Sequence, residues 1–245
     1  MSMLEVSNLC KTYPTFQLRD VSFAVEPGTI MGLIGRNGAG KSTTLKSLLH
    51  LVRPDGGAVR MFGMDFYANE LQCKQSIGVV LGSADFYVNR KVRAVTDVTR
   101  RFYDAWDEAK YRRLLALFAI DEEKKLRELS EGMKVKYMLA LALSHDARLL
   151  ILDEPTSGLD PVSRDELTAL FRRVVESGER SILFSTHITS DLEKCATHIT
   201  LLHEGAVRCS DTRAGFLARY RAHGATLEDV FVSLERRDYD DADLL

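Results

Sequence analysis

Gly35-Arg36-Asn37-Gly38-Ala39-Gly40-Lys41-Ser42-Thr43 has the spacing G-x-x-x-x-G-K-[ST], and its setting matters as much as its letters. The run before it, residues 29–34 (Thr-Ile-Met-Gly-Leu-Ile), is short, apolar and β-branched, which predicts a buried strand. The run after it, 42–52, carries Leu45, Leu48, Leu49 and Val52 at helical spacing. A strand, a Gly-rich turn and a helix in that order aim backbone N–H groups and a helix dipole at one point, which suits a di- or triphosphate. Lys41 would reach the β- and γ-phosphates and the Ser42 hydroxyl would ligate Mg²⁺. At average residue usage the four fixed positions coincide in about one chain in a hundred of this length. A nucleoside triphosphate site, with ATP and Mg²⁺ as its occupants, is the expectation.

Upstream, residues 3–25 alternate in the manner of short strands, with Val21, Phe23 and Val25 on one face and turns at Pro14 and Pro27-Gly28. Tyr13, in Lys11-Thr12-Tyr13-Pro14, is either a half-buried strand aromatic or a platform for an adenine ring. Downstream, Pro54-Asp55-Gly56-Gly57 forms a turn, and strands are expected over 58–63 and 77–81. From 82 to 133 the character changes: 92–103 and 108–118 read as amphipathic, highly charged helices of a solvent-facing insert. Arg90, Lys91, Arg93, Arg100 and Arg101 cluster there, as a solvated face rather than a binding patch.

Leu149-Leu150-Ile151-Leu152-Asp153-Glu154 is an apolar run ending in two carboxylates. A buried parallel strand of this kind delivers its terminal acids to the crevice where ligands bind. Asp153 would hold Mg²⁺ through its water shell, and Glu154 would polarise an attacking water. A helix is expected over 161–177, with Asp160 as its N-cap ahead of Pro161. A strand follows over 181–185, then Thr186-His187, then a helix announced by the capping-box spacing Ser190-x-x-Glu193. After a strand over 197–202 come two short helical stretches, near 212–220 and 227–234. The tail Asp238-Tyr239-Asp240-Asp241-Ala242-Asp243 is acidic. Cys195, His198 and His203 lack a fourth zinc ligand nearby, so no zinc is expected.

The chain has 245 residues, 45% hydrophobic and 28% charged, in the ordinary range for a globular protein with a sizeable core. A formal net charge of −2 gives no reason to expect a nucleic-acid partner. Its four cysteines are scattered without a C-x-x-C pair, as reduced thiols of a cytosolic protein would be. Charges near the N-terminus argue against a signal peptide, and no apolar run approaches the roughly 20 residues of a membrane helix.

The order of these motifs resembles the ATP-binding subunit of ABC transporters. It runs phosphate loop, helical insert, Leu129-Ser130-Glu131-Gly132-Met133, Asp153-Glu154, Ser157-Gly158-Leu159-Asp160, Thr186-His187. The likeness covers nearly the whole chain and is nearest to the bacterial bacitracin- and acetoin-operon type. Residues 129–143 and Thr226-Leu227-Glu228-Asp229-Val230-Phe231 carry much of it. It implies an α/β fold: a P-loop NTPase core, an N-terminal antiparallel β subdomain and an inserted ABC helical subdomain at about 82–135. All would form one ATP-binding domain spanning 1–245, with a C-terminal extension over about 204–245.

The resemblance also implies a mechanism. Two copies, or one copy and a related subunit, sandwich two ATP molecules head to tail. Each ATP sits on one phosphate loop and beneath the Ser130–Gly132 segment of the other cassette. His187 hydrogen-bonds the γ-phosphate, Asp160 lies at the contact between cassettes, and hydrolysis drives a separate integral membrane permease. The expected location is therefore cytoplasmic, peripheral on the inner face of the cell membrane.

The sequence departs from the family pattern at two points. The usual Leu-Ser-Gly-Gly-Gln has Glu131 and Met133 at its third and fifth positions, so the Glu131 charge must point away from phosphate. Gly82 stands where the family has a glutamine that reaches Mg²⁺. Asp85, Ser83 or a water is expected to replace that ligand, Asp85 being the stronger donor of the two side chains.

Overall fold

In the computed structural model, residues 1–81 and 87–236 are described. Gly82, Ser83 and Asp85, like the acidic stretch 238–243, lie outside them. The chain opens with β1 (Leu4–Tyr13) and β2 (Phe16–Val25), an antiparallel pair joined by a tight turn. Next come β3 (Ile30–Ile34), α1 (Lys41–Leu48), β4 (Gly56–Met61), β5 (Met64–Asp65), α2 (Glu70–Lys74) and β6 (Ile77–Leu81). The helices α3 (Val92–Thr99), α4 (Glu108–Leu117) and α5 (Glu131–Ser144) follow. Strand β7 (Leu149–Asp153), α6 (Pro161–Val175), β8 (Ser181–Thr186), α7 (Thr189–Cys195), β9 (His198–His203), β10 (Ala206–Thr212), α8 (Arg213–Arg219) and α9 (Leu227–Glu235) complete it.

Two sheets organise these elements. The smaller is antiparallel, in the order β2-β1-β4-β5; the larger runs β10-β9-β3-β8-β7-β6 and is parallel except for β10. Strands β3, β7 and β8 are buried at every residue, as parallel strands covered on both faces must be, which is why their centres read as apolar runs. One core lies between the sheets, built from Leu4, Leu18, Leu33, Leu45 and Ile151. A second packs α5, α6, α7 and α9 on the other face of the larger sheet through Leu139, Phe171, Leu192 and Val230. A third belongs to the helical insert, around Val92, Tyr111, Leu126 and Tyr137. Helix α5 joins the last two, with Tyr137 in one and Leu139 in the other.

Several boundaries differ from those the sequence predicts. Helix α1 stops at Leu48 rather than 52, because His50 takes a left-handed conformation (φ 57°). The helix expected over 92–103 is α-helical only to Thr99 and ends in a 3₁₀ turn, Arg100–Phe102. The capping box at Ser190 and Glu193 does not form: α7 begins at Thr189 after Ile188, which puts Ser190 inside the helix. Both side chains serve other elements. Ser190 accepts a hydrogen bond from Arg164, and Glu193 accepts one from the Leu227 N–H at the start of α9. Three of the five basic residues named in the insert are ion-paired, Lys91 and Arg93 with Glu123 and Arg100 with Asp97. Among the described residues no helix is long and apolar enough to cross a membrane.

Candidate active site

Strand register brings the site together. Strand β8 runs between β3 and β7, pairing Thr186 with Ile34 and Ser185 with Asp153. Three carboxyl-terminal strand ends therefore lie side by side, carrying the phosphate loop, the Asp153-Glu154 pair and His187. That is the edge of a parallel sheet where ligands bind.

The loop itself depends on two glycines. Gly40 has φ 107°, in the left-handed region, and stands as N-cap of α1 with no side-chain cap, leaving the first N–H groups to the cavity. A Cβ on Gly35 would lie 2.3 Å from the Leu202 carbonyl oxygen, so no side chain fits where the loop passes β9. Lys41 is buried beneath the loop, its Nζ donating to the carbonyls of Gly35 (2.8 Å) and Arg36 (3.3 Å).

Beside the loop, the Ser42 hydroxyl donates to Asp153 Oδ1 at 3.1 Å. The same oxygen accepts from the Ser185 hydroxyl at 2.5 Å, and Asp153 is buried. A hydroxyl and a buried carboxylate converging on one point form an all-oxygen donor set, which fits Mg²⁺ held by one or two protein ligands and waters. Glu154 follows in the left-handed region (φ 50°), a strain of about 1–3 kcal/mol for such a residue. Its N–H is held by the hydroxyl (3.0 Å) and carbonyl (3.1 Å) of Ser185. Its carboxylate lies between two cationic or potentially cationic groups, Lys41 Nζ at 3.3 Å from Oε1 and His187 Nδ1 at 3.0 Å from Oε2.

These groups line a cavity of about 660 Å³ that includes Asn37, Gly38, Lys41, Ser42, Glu154 and His187. Ser157, Thr15 and Phe16 also line it, whereas Tyr13 does not. Tyr13 sits at the end of β1, 38% exposed, with the Lys11 ammonium 5.6 Å from its ring centre. Ser130, Gly132 and Asp160 stand apart from this cavity and close to one another. A Cβ on Gly132 would lie 3.7 Å from Ser163 in the first turn of α6. Ser130 caps α5, its hydroxyl accepting from Met133 N–H at 3.2 Å. Asp160 caps α6 by accepting from the N–H groups of Val162 and Ser163, both at 3.0 Å, and from the Ser163 hydroxyl at 2.6 Å. Those hydrogen bonds, from Ser163 foremost, hold its carboxyl below the usual range. Glu131 is tied to Lys134 at 2.6 Å, which offsets its charge at the start of α5.

Ser185 is the functional residue that motif reading misses. Its signal is a hydroxyl just after the apolar centre of β8, Ile182–Phe184, which only strand pairing connects to Asp153. The histidines considered for a metal are engaged separately, His198 with Thr197 and His203 with Glu235, and burial pushes the Cys195 thiol up to about 12. Among the described residues no group of three or more His, Cys, Asp or Glu could hold a metal ion.

Fold and site together have the architecture of the P-loop ATPase fold, with an antiparallel sheet laid over its core. The sequence pattern of the ABC transporter family matches residues 18–157, and the chain belongs to that family. It is similar to the bacitracin transport ATP-binding protein BcrA of Bacillus licheniformis, 32% identical over 207 residues, 83% of this chain and 68% of the relative. It is similar along almost its whole length to the ABC-type transporter ATP-binding protein EcsA of Bacillus subtilis. There the identity is 32% over 246 residues, 97% of this chain and 98% of the relative. Among solved structures, the ATP-binding subunit of an ABC transporter superposes with a TM-score of 0.85 at 29% identity, covering 96% of this chain and all of that one.

Proposed function

We propose that this chain binds ATP on its phosphate loop, hydrolyses it, and thereby powers a separately encoded membrane permease. The observation that carries the reading is the convergence of Lys41, the Ser42–Asp153 pair and the Glu154–His187 pair at one sheet edge. Lys41 and the loop N–H groups bind the β- and γ-phosphates. Ser42 and, through water, Asp153 would hold Mg²⁺, which supplies charge neutralisation to the phosphates. Glu154 orients a water in line with the bond between the γ-phosphorus and the ADP oxygen and accepts its proton, while His187 donates to a γ-phosphate oxygen. The products are ADP and phosphate.

The site is completed by a second cassette, either another copy or a related subunit. Its Ser130 and Gly132, at the N-terminus of α5, would meet the γ-phosphate with unpaired N–H groups and the positive end of the helix dipole. Asp160, which starts α6 beside them, would lie at the same contact. Tyr13 would serve the adenine if the loop end of β1 closes over the nucleotide. The permease partner is supported by the names of the relatives and by the helical insert, where Tyr87 (69%), Val98 (54%) and Phe102 (70%) are exposed apolar groups. It would hold the chain on the cytoplasmic face of the membrane. The test is purification of the tagged chain from detergent-solubilised membranes of its own cells. Co-purification of a polytopic membrane protein, with ATPase activity lost in Glu154→Gln, is the expected result; recovery of the wild-type chain without one would overturn the permease partner.

A further inference from the structure

The phosphate loop is also held from behind, by the C-terminal extension. Arg36, the second residue of the loop, lines the nucleotide cavity on one side and a second cavity of about 330 Å³ on the other. Across that second space its Nη1 donates to the backbone carbonyl of Glu235 at 3.1 Å. Glu235 is the last residue of α9, so the guanidinium satisfies a carbonyl with no partner inside the helix and sits at the negative end of the helix dipole. The Glu235 side chain is 7% exposed and is anchored in turn, its Oε1 2.7 Å from Nδ1 of His203 at the end of β9. The far end of α9 is fixed by Leu227 and Val230 in the core. A second brace lies beside the first, where Gly205 N–H donates to the Ala39 carbonyl at 3.1 Å.

Resting on the ATP-binding reading above, we propose that α9 sets nucleotide affinity by bracing the phosphate loop through Arg36, with Glu235 as the positioning residue. The Arg36 carbonyl is itself tied into the site, since it accepts from Lys41 Nζ and from Ala39 N–H at 3.1 Å. Movement of the Arg36 backbone therefore moves the carbonyl that shares the Lys41 ammonium. Cutting the Glu235–His203 link frees the helix end that Arg36 grips, and the loop must then be ordered by the nucleotide when it binds. The cost appears in binding. The hydrolytic groups Glu154 and His187 are untouched, so turnover at saturation stays the same.

The experiment measures binding of Mg-ATP to the full chain by direct titration, together with kcat at saturating ATP. Glu235→Ala is expected to weaken binding about three- to tenfold, in the range of one ordinary hydrogen bond, with kcat unchanged. Glu235→Gln keeps an acceptor for His203 and should bind close to wild type. His203→Ala cuts the same link from the strand and should match Glu235→Ala, which covers the case where one variant fails to fold. In an Arg36→Ala background, Glu235→Ala should add nothing further. Wild-type affinity in both Glu235→Ala and His203→Ala, or losses that multiply in the double variant, would overturn the brace alone. A wild-type chain that does not bind ATP would overturn the function, and this inference with it.

Discussion

Oε2 of Glu154 meets Nδ1 of His187 at 3.0 Å, joining the residue that follows β7 to the residue that follows β8. The two strands between them are in register, Asp153 opposite Ser185, so the contact follows from the sheet and not from loop flexibility. It gives the carboxylate a fixed orientation toward the cavity while Lys41 stands 3.3 Å from its other oxygen. A carboxylate held at both oxygens can present one of them to a water in a defined direction once Lys41 turns to phosphate.

Glu154→Gln should therefore keep ATP binding and lose hydrolysis. Positioned base catalysis typically contributes about 10²–10⁴-fold, and the amide keeps shape and hydrogen bonding without the proton affinity. Steady-state ATPase assays and nucleotide titration measure the two effects separately. With turnover blocked, the sandwiched dimer should also accumulate with ATP on gel filtration. Wild-type turnover in the variant would remove Glu154 from the catalytic role.

Lys41→Ala should abolish ATP binding at micromolar nucleotide. The ammonium is buried under the loop and hydrogen-bonded to two loop carbonyls, so its loss removes both the charge nearest the phosphates and an internal tie of the loop. Direct titration is the measurement, and retained affinity would show that the phosphates bind elsewhere.

Ser185→Ala should raise the magnesium concentration needed for half-maximal ATPase activity by about tenfold. The Ser185 hydroxyl donates to Asp153 Oδ1 and receives the Glu154 N–H, and hydrogen bonds to charged groups are worth about 1.5–3 kcal/mol. The loss should appear as a rightward shift of the magnesium titration with saturating ATP. An unchanged titration would mean that Asp153 keeps its position without Ser185.

What the sequence makes legible is whatever depends on neighbours along the chain. The phosphate loop announces itself because its glycines, lysine and serine act within nine consecutive residues, and Asp153-Glu154 because a continuous apolar run ends there. Asp160 is readable as a cap for the same local reason, with Pro161 directly after it. What is not legible depends on strand pairing or on distant partners. Ser185 matters only because β8 lies beside β7, and Ser190 leaves its expected capping role because Arg164, on another helix, draws its hydroxyl. Arg36 reads as a filler position between two loop glycines, and its partner at Glu235 is 199 residues away.

The last prediction concerns acid stability and the joint between the helical insert and the core. His145 follows α5, stacks on Tyr103 with ring centres 3.6 Å apart, and hydrogen-bonds the Gln75 carbonyl at 3.2 Å. Gln75 also reaches the insert, accepting from Asp104 N–H and donating to the Phe102 carbonyl. Burial pushes the His145 imidazole down to about 4, against an ordinary value near 6.5. Between these values the unfolded chain binds a proton that the folded chain refuses, so stability rises with pH across that window and is lost as pH falls through it. The full effect, reached below pH 4, is on the order of 3 kcal/mol from this residue. Denaturant unfolding measured from pH 7 to pH 4 should show that decline. In His145→Phe, which keeps an aromatic partner for Tyr103 but cannot take up a proton, the decline should be shallower by about that amount, even if the variant starts from lower stability at pH 7. Equal slopes in the two proteins would mean that His145 titrates normally in the fold and that the joint is open to water.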